Sequence, residues 1–517
     1  MKKYSLIFLA FLFVACSDFL EEDPRGKLSP DNFFQSKNDL DMAITAMYYY
    51  SIQLNQQPGR MIYTYCADDV TSQNAGNKTR WAEFDMFNFN SGNSEMGNWY
   101  AYLWRTVKAA NFVINNAERT PASEEYINER LGQAYLMRAY CYFHLVRIWG
   151  KIPIITTLEP DYDAPREDVA KVYELIESDC KQAEKMLPIN FDSEPFSRNG
   201  INVAGAKGAA KALLASVYMT EAGWPLKKGT EYYEKAASKF KEIIDNESEY
   251  GYSLEPNIID LTIETTANYS KEIVWGEFHN VDLSNQHFMG PRFELPEETG
   301  LGWCDLMPEL EFFRSMPDGS RKDAFILQYV FTGKYNDDGT PIMLKWDDPA
   351  TNQKHPYFRK NIDDGVTWDY NIDSDGKVTY TNGGLSWKSS RTKFLFRYAD
   401  ILLMYAEAKA FGNGADALAY TCINRVRTRA GLNELSGLSA EAFKKAVLDE
   451  RRWETCGMEG SIMGRFFTMQ RHEILHKQKE YRDPNELPLN PGLTLSEDFY
   501  YFPIPDREVL IVPSYGD

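Results

Sequence analysis

The segment from Glu124 to Trp149 constrains the fold more than any other part of the sequence. Tyr135, Ala139 and Tyr142 stand at helical spacing, and a second apolar row runs beside them. A helix that is apolar on so much of its surface must be packed on several sides. Gly150 follows directly and favours a helix end. The pattern therefore predicts a long helix over 124–149 that other helices enclose.

Two further stretches predict pairs of successive helices. Residues 203–220 carry an Ala/Gly-rich face, and residues 230–245 follow with Tyr and Phe opposite. Residues 394–411 and 415–429 have the same character. Small side chains facing large ones in successive helices are similar to tetratricopeptide units, although the repeat of about 34 residues is degenerate. We therefore expect a mainly α fold whose scaffold is a stack of tetratricopeptide-like helix pairs.

The region at about 251–390 is rich in loops and turns. Residues 271–278 alternate as a strand does, and Asp-Gly turns within 335–340 and 373–377 predict hairpins. No Ser/Gly/Pro-rich linker separates this region from the helices on either side. We expect one domain over 31–517, made of a helical scaffold (about 31–250 and 391–480) and this loop-rich, ligand-facing insert with short strands.

The first thirty residues predict export and a lipid anchor. Lys2 and Lys3 precede about a dozen apolar residues, the length of a signal-peptide core, whereas a bilayer span needs roughly 20. The stretch ends in Phe-Val-Ala-Cys, which resembles a bacterial lipobox. We expect residues 1–15 to be removed as a signal peptide, Cys16 to be lipidated, and residues 16–30 to form an acidic tether. An ordinary cleaved signal peptide with an incidental cysteine is the alternative.

Charge and cysteine content argue against several classes of protein. The formal net charge is −19, and binding to nucleic acid or anionic lipid needs a basic face. The six cysteines after Cys16 are scattered, with no C-x-x-C spacing. This distribution favours buried small residues over a disulfide framework or a metal site, and one incidental disulfide stays open.

Several blocks along the chain, in order, carry a resemblance to a known family. Residues 136–153 read LMRAYCYFHLVRIWGKIP, and residues 397–408 read RYADILLMYAEA. Shorter blocks are AAKALLA (209–215), INRVR (423–427), ERRWE (450–454), GRFF (464–467) and FPIPDRE (502–508). Together, behind the lipobox, they resemble the SusD/RagB family over nearly the whole chain.

This resemblance implies a surface lipoprotein, held in the outer membrane by its N-terminal lipid, that covers a TonB-dependent transporter barrel like a lid. Such a protein captures a glycan, less often a peptide, and delivers it inward, with its tetratricopeptide-like units facing the transporter. The resemblance implies neither catalysis nor an obligatory cofactor. A scaffold that binds the transporter but no sugar is an alternative.

In that family, ligand aromatics lie in the loops after the first helix and in the central insert. Two stretches match these positions: residues 68–81 are polar and contain Trp81, and residues 292–303 end in Trp303 after two glycines. Aromatic rings suit the apolar face of a pyranose, and a few placed polar groups suit its hydroxyls. We predict Trp81 and Trp303 as ligand-binding residues, with these polar partners: Asp68, Asn74 and Arg292.

Core packing is the alternative for both tryptophans, because burial of an indole is common. We expect core positions for three others: Trp104, Trp149 and Trp275. The adjacent acids Asp68 and Asp69 do not favour a glycosidase, because hydrolysis needs two carboxyls held across a bond at about 5–9 Å and neighbouring side chains usually point apart.

One motif favours a different class of protein. Residues 472–476 spell HExxH; on a helix this spacing places His472 and His476 on one face for zinc, with Glu473 as general base. No histidine follows His476, and charged neighbours indicate a solvated helix end. A zinc metalloprotease is therefore the alternative function, and a surface helix is the structural expectation.

Residues 371–376 resemble the start of a calcium loop. The twelfth position is Asn382, where a bidentate Glu is needed. We expect a hairpin turn without metal there, with calcium as the alternative.

Overall fold

Helices dominate the chain on both sides of a central region of short strands. The computed structural model describes residues 33–56, 61–73, 75–159, 161–283, 303–338, 341–361, 370–372, 378–380, 389–457, 462–478, 482–490 and 497–516. The helices are α1 (Lys37–Gln56), α2 (Met61–Thr64), α3 (Thr79–Asp85), α4 (Ser94–Asn116), α5 (Glu124–Trp149), α6 (Val169–Met186), α7 (Lys207–Ala222), α8 (Thr230–Asp245), α9 (Glu247–Tyr250), α10 (Glu264–Ala267), α11 (Leu310–Ser315), α12 (Ser320–Phe325), α13 (Tyr398–Phe411), α14 (Ala417–Arg429), α15 (Ala440–Glu454), α16 (Arg465–Arg471) and α17 (Asp506–Ile511). The strands are β1 (Val70–Thr71), β2 (Ser197–Arg198), β3 (Ile201–Asn202), β4 (Ile273–Glu277), β5 (Met307–Pro308), β6 (Ile326–Leu327), β7 (Tyr329–Tyr335), β8 (Pro341–Lys345), β9 (Tyr357–Phe358), β10 (Tyr370–Ile372), β11 (Val378–Tyr380) and β12 (Lys393–Arg397).

Helix α5 has the bounds that the sequence predicts. The Ser123 hydroxyl caps it by accepting a hydrogen bond from the backbone N–H of Tyr126 at 3.4 Å, and Gly150 ends it with a φ of 69°. Every side chain from residue 130 to residue 149 except Tyr135 is buried. Helices α4 and α6 pack against α5, and α1 lies against both α4 and α5. The helix is thus enclosed, as its apolar surface requires.

Successive helices then pack side by side. Helix α6 contacts α7, α7 contacts α8, α8 contacts α13, and α13 contacts α14 and α15. The Ala-rich face of α7 is buried, as are Tyr233 and Phe240 of α8. Helix α8 has its predicted bounds, whereas α7 begins at Lys207 instead of residue 203 and α14 begins at Ala417 instead of residue 415. The mainly α, tetratricopeptide-like scaffold is confirmed.

One predicted helix begins later than expected. The sequence predicts a helix over 394–411, but residues 393–397 form β12, which pairs antiparallel with β4. Both strands are buried along their whole length, and a fully buried strand cannot be distinguished from a buried helix by periodicity. The helix starts only at Tyr398, where the Asp400 carboxylate accepts a hydrogen bond from the backbone N–H of Arg397 at 2.8 Å.

The central region contains the hairpins that the turn residues predict. Strand β7 pairs with β8, with Tyr329 opposite Lys345, and β10 pairs with β11, with Tyr370 opposite Tyr380. Residues 373–377, on which the calcium alternative falls, lie outside the described residues. The hairpin is therefore confirmed in its strands, and the expectation of a turn without metal, with calcium as the alternative, stays a prediction.

Trp149 and Trp275 lie in the core, as expected, with 3% of each side chain's surface exposed. Trp104 packs against the same core but remains partly exposed. The prediction that Trp104 lies in the core is therefore confirmed only in part.

Buried ions join the strands to the C-terminal helices. The Glu454 carboxylate accepts hydrogen bonds from Arg397 Nη1 at 2.7 Å, Arg429 Nη2 at 2.5 Å and Arg321 Nη1 at 3.0 Å. Burial alone would raise the pKa of Glu454, but the three guanidinium groups hold it well below its ordinary value. Glu454 is therefore ionised at neutral pH, and it ties β12, α14 and α12 to the end of α15.

All six cysteines among the described residues are free and buried. Burial raises the pKa of the Cys66 and Cys180 thiols well above their ordinary value. The sequence interpretation of these cysteines as buried small residues is confirmed. Across the described ranges, no helix combines the length and apolarity that a membrane crossing requires.

Candidate functional site

Strands β1 and β5 bring the two segments predicted to bind ligand to the same place. Val70 pairs with Pro308, and Thr71 pairs with Met307. The short helix that carries Trp81 follows β1, and Trp303 precedes β5. The two segments are thus neighbours in space although they are more than 200 residues apart in the sequence, as Lys78 and Asp305 are 227 positions apart. We call the region around Lys78, Trp303 and Asp305 the Trp303 junction.

Trp303 keeps part of its indole accessible at this junction. Its ring packs against the core without being fully covered. The Lys78 Nζ lies 5.8 Å from the ring centroid, within reach of a cation–π attraction. Lys78 is itself buried and forms an ion pair with the buried carboxylate of Asp305. Trp303 therefore lies beside a buried ion pair and keeps part of its surface accessible, and stacking on the apolar face of a sugar requires an accessible ring.

The prediction that Trp81 is an exposed ligand-binding residue is wrong. Trp81 is fully buried in α3. Its ring stacks with Tyr65 at a centroid distance of 6.2 Å, and the Arg80 guanidinium lies 4.9 Å from its centroid. Trp81 and Phe84 stand three residues apart on one helix face, which is directed into the core. No face of the Trp81 indole is available to a sugar.

The prediction that Asp68 is a polar partner of the sugar is also wrong. Only 4% of Asp68 is exposed. Its carboxylate accepts hydrogen bonds from two nitrogens of Arg465, and Arg452 Nε lies 3.2 Å from Oδ1. Beside it, burial raises the pKa of Asp69 to about 6, and Asp69 accepts a hydrogen bond from the backbone N–H of Gly457 at 2.8 Å. Both acids hold the structure together and do not face a ligand.

Two predicted partners, Asn74 and Arg292, lie outside the described residues. Gln73, which directly precedes Asn74, is buried beside β1. Asn74 is thus joined to a segment that leads into the junction, and Arg292 belongs to the stretch of chain that precedes Trp303. The assignment of both residues to ligand binding stays a prediction.

His472, Glu473 and His476 do not share one helix face. Helix α16 ends just before His472, Glu473 has a φ of 54°, and His476 lies in a separate turn of 3₁₀ helix. The Nε2 atom of His472 lies 2.7 Å from Oε1 of Glu407. Among the residues that the structure describes, no three His, Cys, Asp or Glu side chains are grouped to hold a metal ion. The single helix over 472–476 that the zinc protease alternative needs is not formed, and the expected surface helix is wrong, because the left-handed backbone at Glu473 interrupts the helix.

A carboxyl with an unusual pKa lies at the end of β5. Burial raises the pKa of Glu309 to about 7, although its two oxygens accept hydrogen bonds from the backbone N–H groups of Phe312 at 2.7 Å and Asp483 at 2.9 Å. Its Oε2 caps the N-terminus of α11. Glu309 therefore changes its protonation near neutral pH at a point that positions the Trp303 junction.

The sequence names Trp303 as a candidate, and its role in ligand binding stays a prediction, whereas nothing in the sequence points to Lys78 or Asp305 beside it. Their contact depends on the pairing of two strands of two residues each, which are too short to show a period. Nothing in the sequence of either segment marks the other as its neighbour.

The fold and the junction together define a class of protein: a helical-repeat scaffold that carries a partly accessible aromatic side chain where two segments distant in the sequence meet. Residues 18–219 match a family model described as "Starch-binding associating with outer membrane", and residues 271–514 match the model of the SusD family. The chain belongs to the SusD/RagB family.

Individual relatives agree with this assignment. The SusD-like protein P2 of Formosa agariphila is 27% identical over 539 residues, which cover 99% of this chain and 98% of that protein. A SusD homologue from Bacteroides thetaiotaomicron VPI-5482 has a TM-score of 0.75 at 22% identity and covers 94% of this chain and 97% of its own. Surface glycan-binding protein A from Bacteroides uniformis has a TM-score of 0.72 at 18% identity, covering 93% of this chain and 98% of its own. These structural likenesses show a common fold.

Proposed function

We propose that this chain is a non-catalytic, lipid-anchored protein of the cell surface that binds oligo- or polysaccharide and passes it to a TonB-dependent transporter. The observation that carries the proposal is the Trp303 junction, where Lys78 holds a partly accessible indole beside the loop-rich insert. Family membership supports it, because the matching model is described as starch-binding and one structural neighbour is named a surface glycan-binding protein.

Binding at the junction would use stacking and hydrogen bonds only. The accessible part of the Trp303 indole would take the apolar face of a pyranose, and the planar side chains of Asn74 and Arg292 would bond its hydroxyls. The ion pair between Lys78 and Asp305 occupies both charged groups in holding the ring. The junction therefore binds a sugar, and neither charged group acts on it as a catalytic acid or base.

The anchor in this proposal is Cys16. The family model begins at residue 18, two positions after it, and its description places such proteins at the outer membrane. Lipidation at Cys16 followed by the acidic segment 16–30 would hold the body outside the membrane, and acyl chains in the plural are needed for stable anchoring.

Affinity electrophoresis tests the glycan part. The full chain is run in native gels that contain starch, laminarin, xylan or alginate, and at least one neutral polymer should retard it. The Trp303→Ala variant should be retarded much less, whereas Tyr269→Ala, which changes an exposed aromatic elsewhere, should be retarded as the wild type is. If the folded chain is retarded by no polymer, the result would favour the alternative function, a scaffold that binds the transporter but no sugar.

Capture from outer membranes tests the hand-off. Tagged full-length chain, expressed in its own host, should bring down a large β-barrel protein that mass spectrometry identifies as a TonB-dependent transporter. Cys16→Ser should move the chain out of the membrane fraction. Repeated capture without a barrel protein would contradict the transporter part alone.

A further inference from the structure

An aromatic hollow of about 240 Å³ lies away from the Trp303 junction. It opens between helix α4, residues 153–159 and 161–162, and the C-terminal residues 508–515. Its aromatic lining consists of Tyr100, Trp104, Tyr162 and Tyr515. The hollow and the junction share no residue, so a ligand in one would not need the other.

Trp104 is held rigidly in the wall of this hollow. Its ring makes edge-to-face contacts with Tyr100 and Tyr142, at centroid distances of 6.0 Å and 5.6 Å. Both tyrosines are buried, whereas Trp104 remains partly exposed. Tyr162, which also lines the hollow, is 61% exposed. One aromatic is thus packed into the wall of the hollow, and the other lines it with most of its surface exposed.

The wall beside Trp104 is fixed by buried hydrogen bonds. The Asn111 amide nitrogen donates to the backbone carbonyls of Ile155 at 2.9 Å and Thr157 at 3.3 Å. Its oxygen accepts a hydrogen bond from Arg138 Nη1 at 2.9 Å. Because Asn111 belongs to α4 and Arg138 to α5, these bonds attach the segment at 155–157 to the scaffold. The hollow is therefore formed before any ligand arrives.

The charged side chains that line the hollow are mostly acidic. Glu159, Asp161 and Glu508 contribute three carboxylates, and Lys108 contributes one ammonium group. Glu508 is paired with Arg507 at 3.0 Å, so Glu159 and Asp161 supply the excess of negative charge over Lys108. Carboxylates accept hydrogen bonds from hydroxyl groups, and this excess disfavours an anionic ligand. The hollow thus combines an aromatic wall with acceptors for an uncharged, hydroxyl-bearing molecule.

We propose that this hollow is a second glycan-binding site, which takes one uncharged pyranose unit. Trp104 and Tyr162 contact the C–H face of the sugar, and the carboxylates accept hydrogen bonds from its hydroxyls. Pockets that enclose a drug-sized ligand have volumes of about 300–1,000 Å³, and the volume of this hollow is smaller. The rest of a glycan chain therefore lies outside it. The choice of a saccharide rests on the proposed function, whereas the position and the neutral class rest on the hollow itself.

Fluorine NMR on the full chain tests the two sites separately. The protein is labelled with 5-fluorotryptophan and kept in a zwitterionic detergent without a sugar headgroup. The Trp104 and Trp303 signals are assigned with the Trp104→Phe and Trp303→Phe variants. The probes are maltoheptaose, laminariheptaose and xylohexaose as neutral glycans, and alginate oligosaccharides as anionic ones.

The Trp104 signal should shift saturably with at least one neutral probe and with no alginate. Tyr162→Ala should weaken this response by at least about tenfold in Kd, and the exposed control Tyr269→Ala should leave it unchanged. Shifts at Trp303 alone would overturn the second site and leave the proposed function standing. A Trp104 response to alginate, or one that persists in Tyr162→Ala, would overturn the proposal, and silence at both signals would overturn both sites. Loss of barrel capture in Tyr162→Ala without any saccharide shift would assign the hollow to a protein partner instead.

Discussion

The carboxylate of Asp68 accepts two hydrogen bonds from Arg465, from Nε at 2.7 Å and from Nη2 at 2.8 Å, across 397 positions of the sequence. This two-point contact joins the residues before β1 to the start of α16. Charge-assisted pairs of this geometry are among the stronger polar contacts in proteins. Asp68 therefore acts on the candidate site only by fixing the strand that leads to it.

Asp68→Asn should lower stability without removing the glycan site. The substitution removes the charge that pairs with the buried guanidinium of Arg465, whereas Arg452 keeps its ion pair with Glu311 at 3.0 Å. Loss of one partner costs about 3–5 kcal/mol in comparable buried pairs. Urea denaturation measures the change in the free energy of unfolding, and affinity electrophoresis in the cold measures binding. A variant of unchanged stability that no longer binds glycan would mean that Asp68 contacts the ligand after all.

Trp303→Ala and Trp81→Ala should have opposite effects. Loss of the accessible Trp303 indole should weaken binding to the best neutral polymer at least tenfold, or about 1.4 kcal/mol. Loss of the buried Trp81 indole should instead lower the free energy of unfolding by about 3–5 kcal/mol, because it leaves a cavity, and should keep the affinity of the folded protein. The two variants serve as controls for each other, and a reversal of their effects would place the ligand at Trp81.

The purified chain should contain no stoichiometric zinc. His472 bonds to Glu407 instead of facing a metal site, and the backbone of Glu473 interrupts the helix that an HExxH site needs. Inductively coupled plasma mass spectrometry of the protein after dialysis against zinc gives the metal content. One zinc per chain that disappears in His476→Ala would contradict the described geometry, because His476 is exposed and has no structural role to lose.

Stability should fall as pH rises towards neutrality, in part through Glu309. Burial raises its folded-state pKa to about 7 from 4.5, so the folded state holds the proton more tightly than the unfolded chain. This stabilisation is complete below pH 4.5 and is lost as pH rises from 4.5 through about 7. Glu309→Gln keeps one acceptor oxygen but cannot ionise, so its free energy of unfolding should vary less between these limits, by up to about 3 kcal/mol.

Urea midpoints of the wild type and Glu309→Gln at several pH values test this expectation. Glu434→Gln changes an exposed carboxyl and should reproduce the wild-type profile. Identical profiles for the wild type and Glu309→Gln would show that Glu309 titrates alike in the folded and unfolded chain.

The helical scaffold was open to prediction because its signals are local. Helix α5 has a capping Ser123, a terminal Gly150 and a long apolar pattern, and its bounds came out as predicted. Strand β12 was missed because burial on both faces replaces alternation by a continuous apolar run. The start of α13 depends on the cap between Arg397 and Asp400, which the apolar pattern does not reveal.

The site could be predicted only in part, because its contacts are distant in sequence. Trp81 was expected at the surface from the polar residues before it, but α3 has only seven residues, too few to show which face is buried. Trp303 is a candidate because of its place in the insert, whereas the position of Lys78 beside it depends on the pairing of β1 with β5. Local pattern does not carry that information.

The buried thiols of this protein can report on its unfolding. A thiol reacts as the thiolate and needs access to the reagent, and both are denied to Cys66 and Cys180 while their surroundings stay packed. With no disulfide among the described cysteines, a reductant has no crosslink to break there. The fraction of chains alkylated at Cys66 or Cys180 therefore measures the fraction whose interior has opened. This measurement adds no label to the surface that binds the ligand.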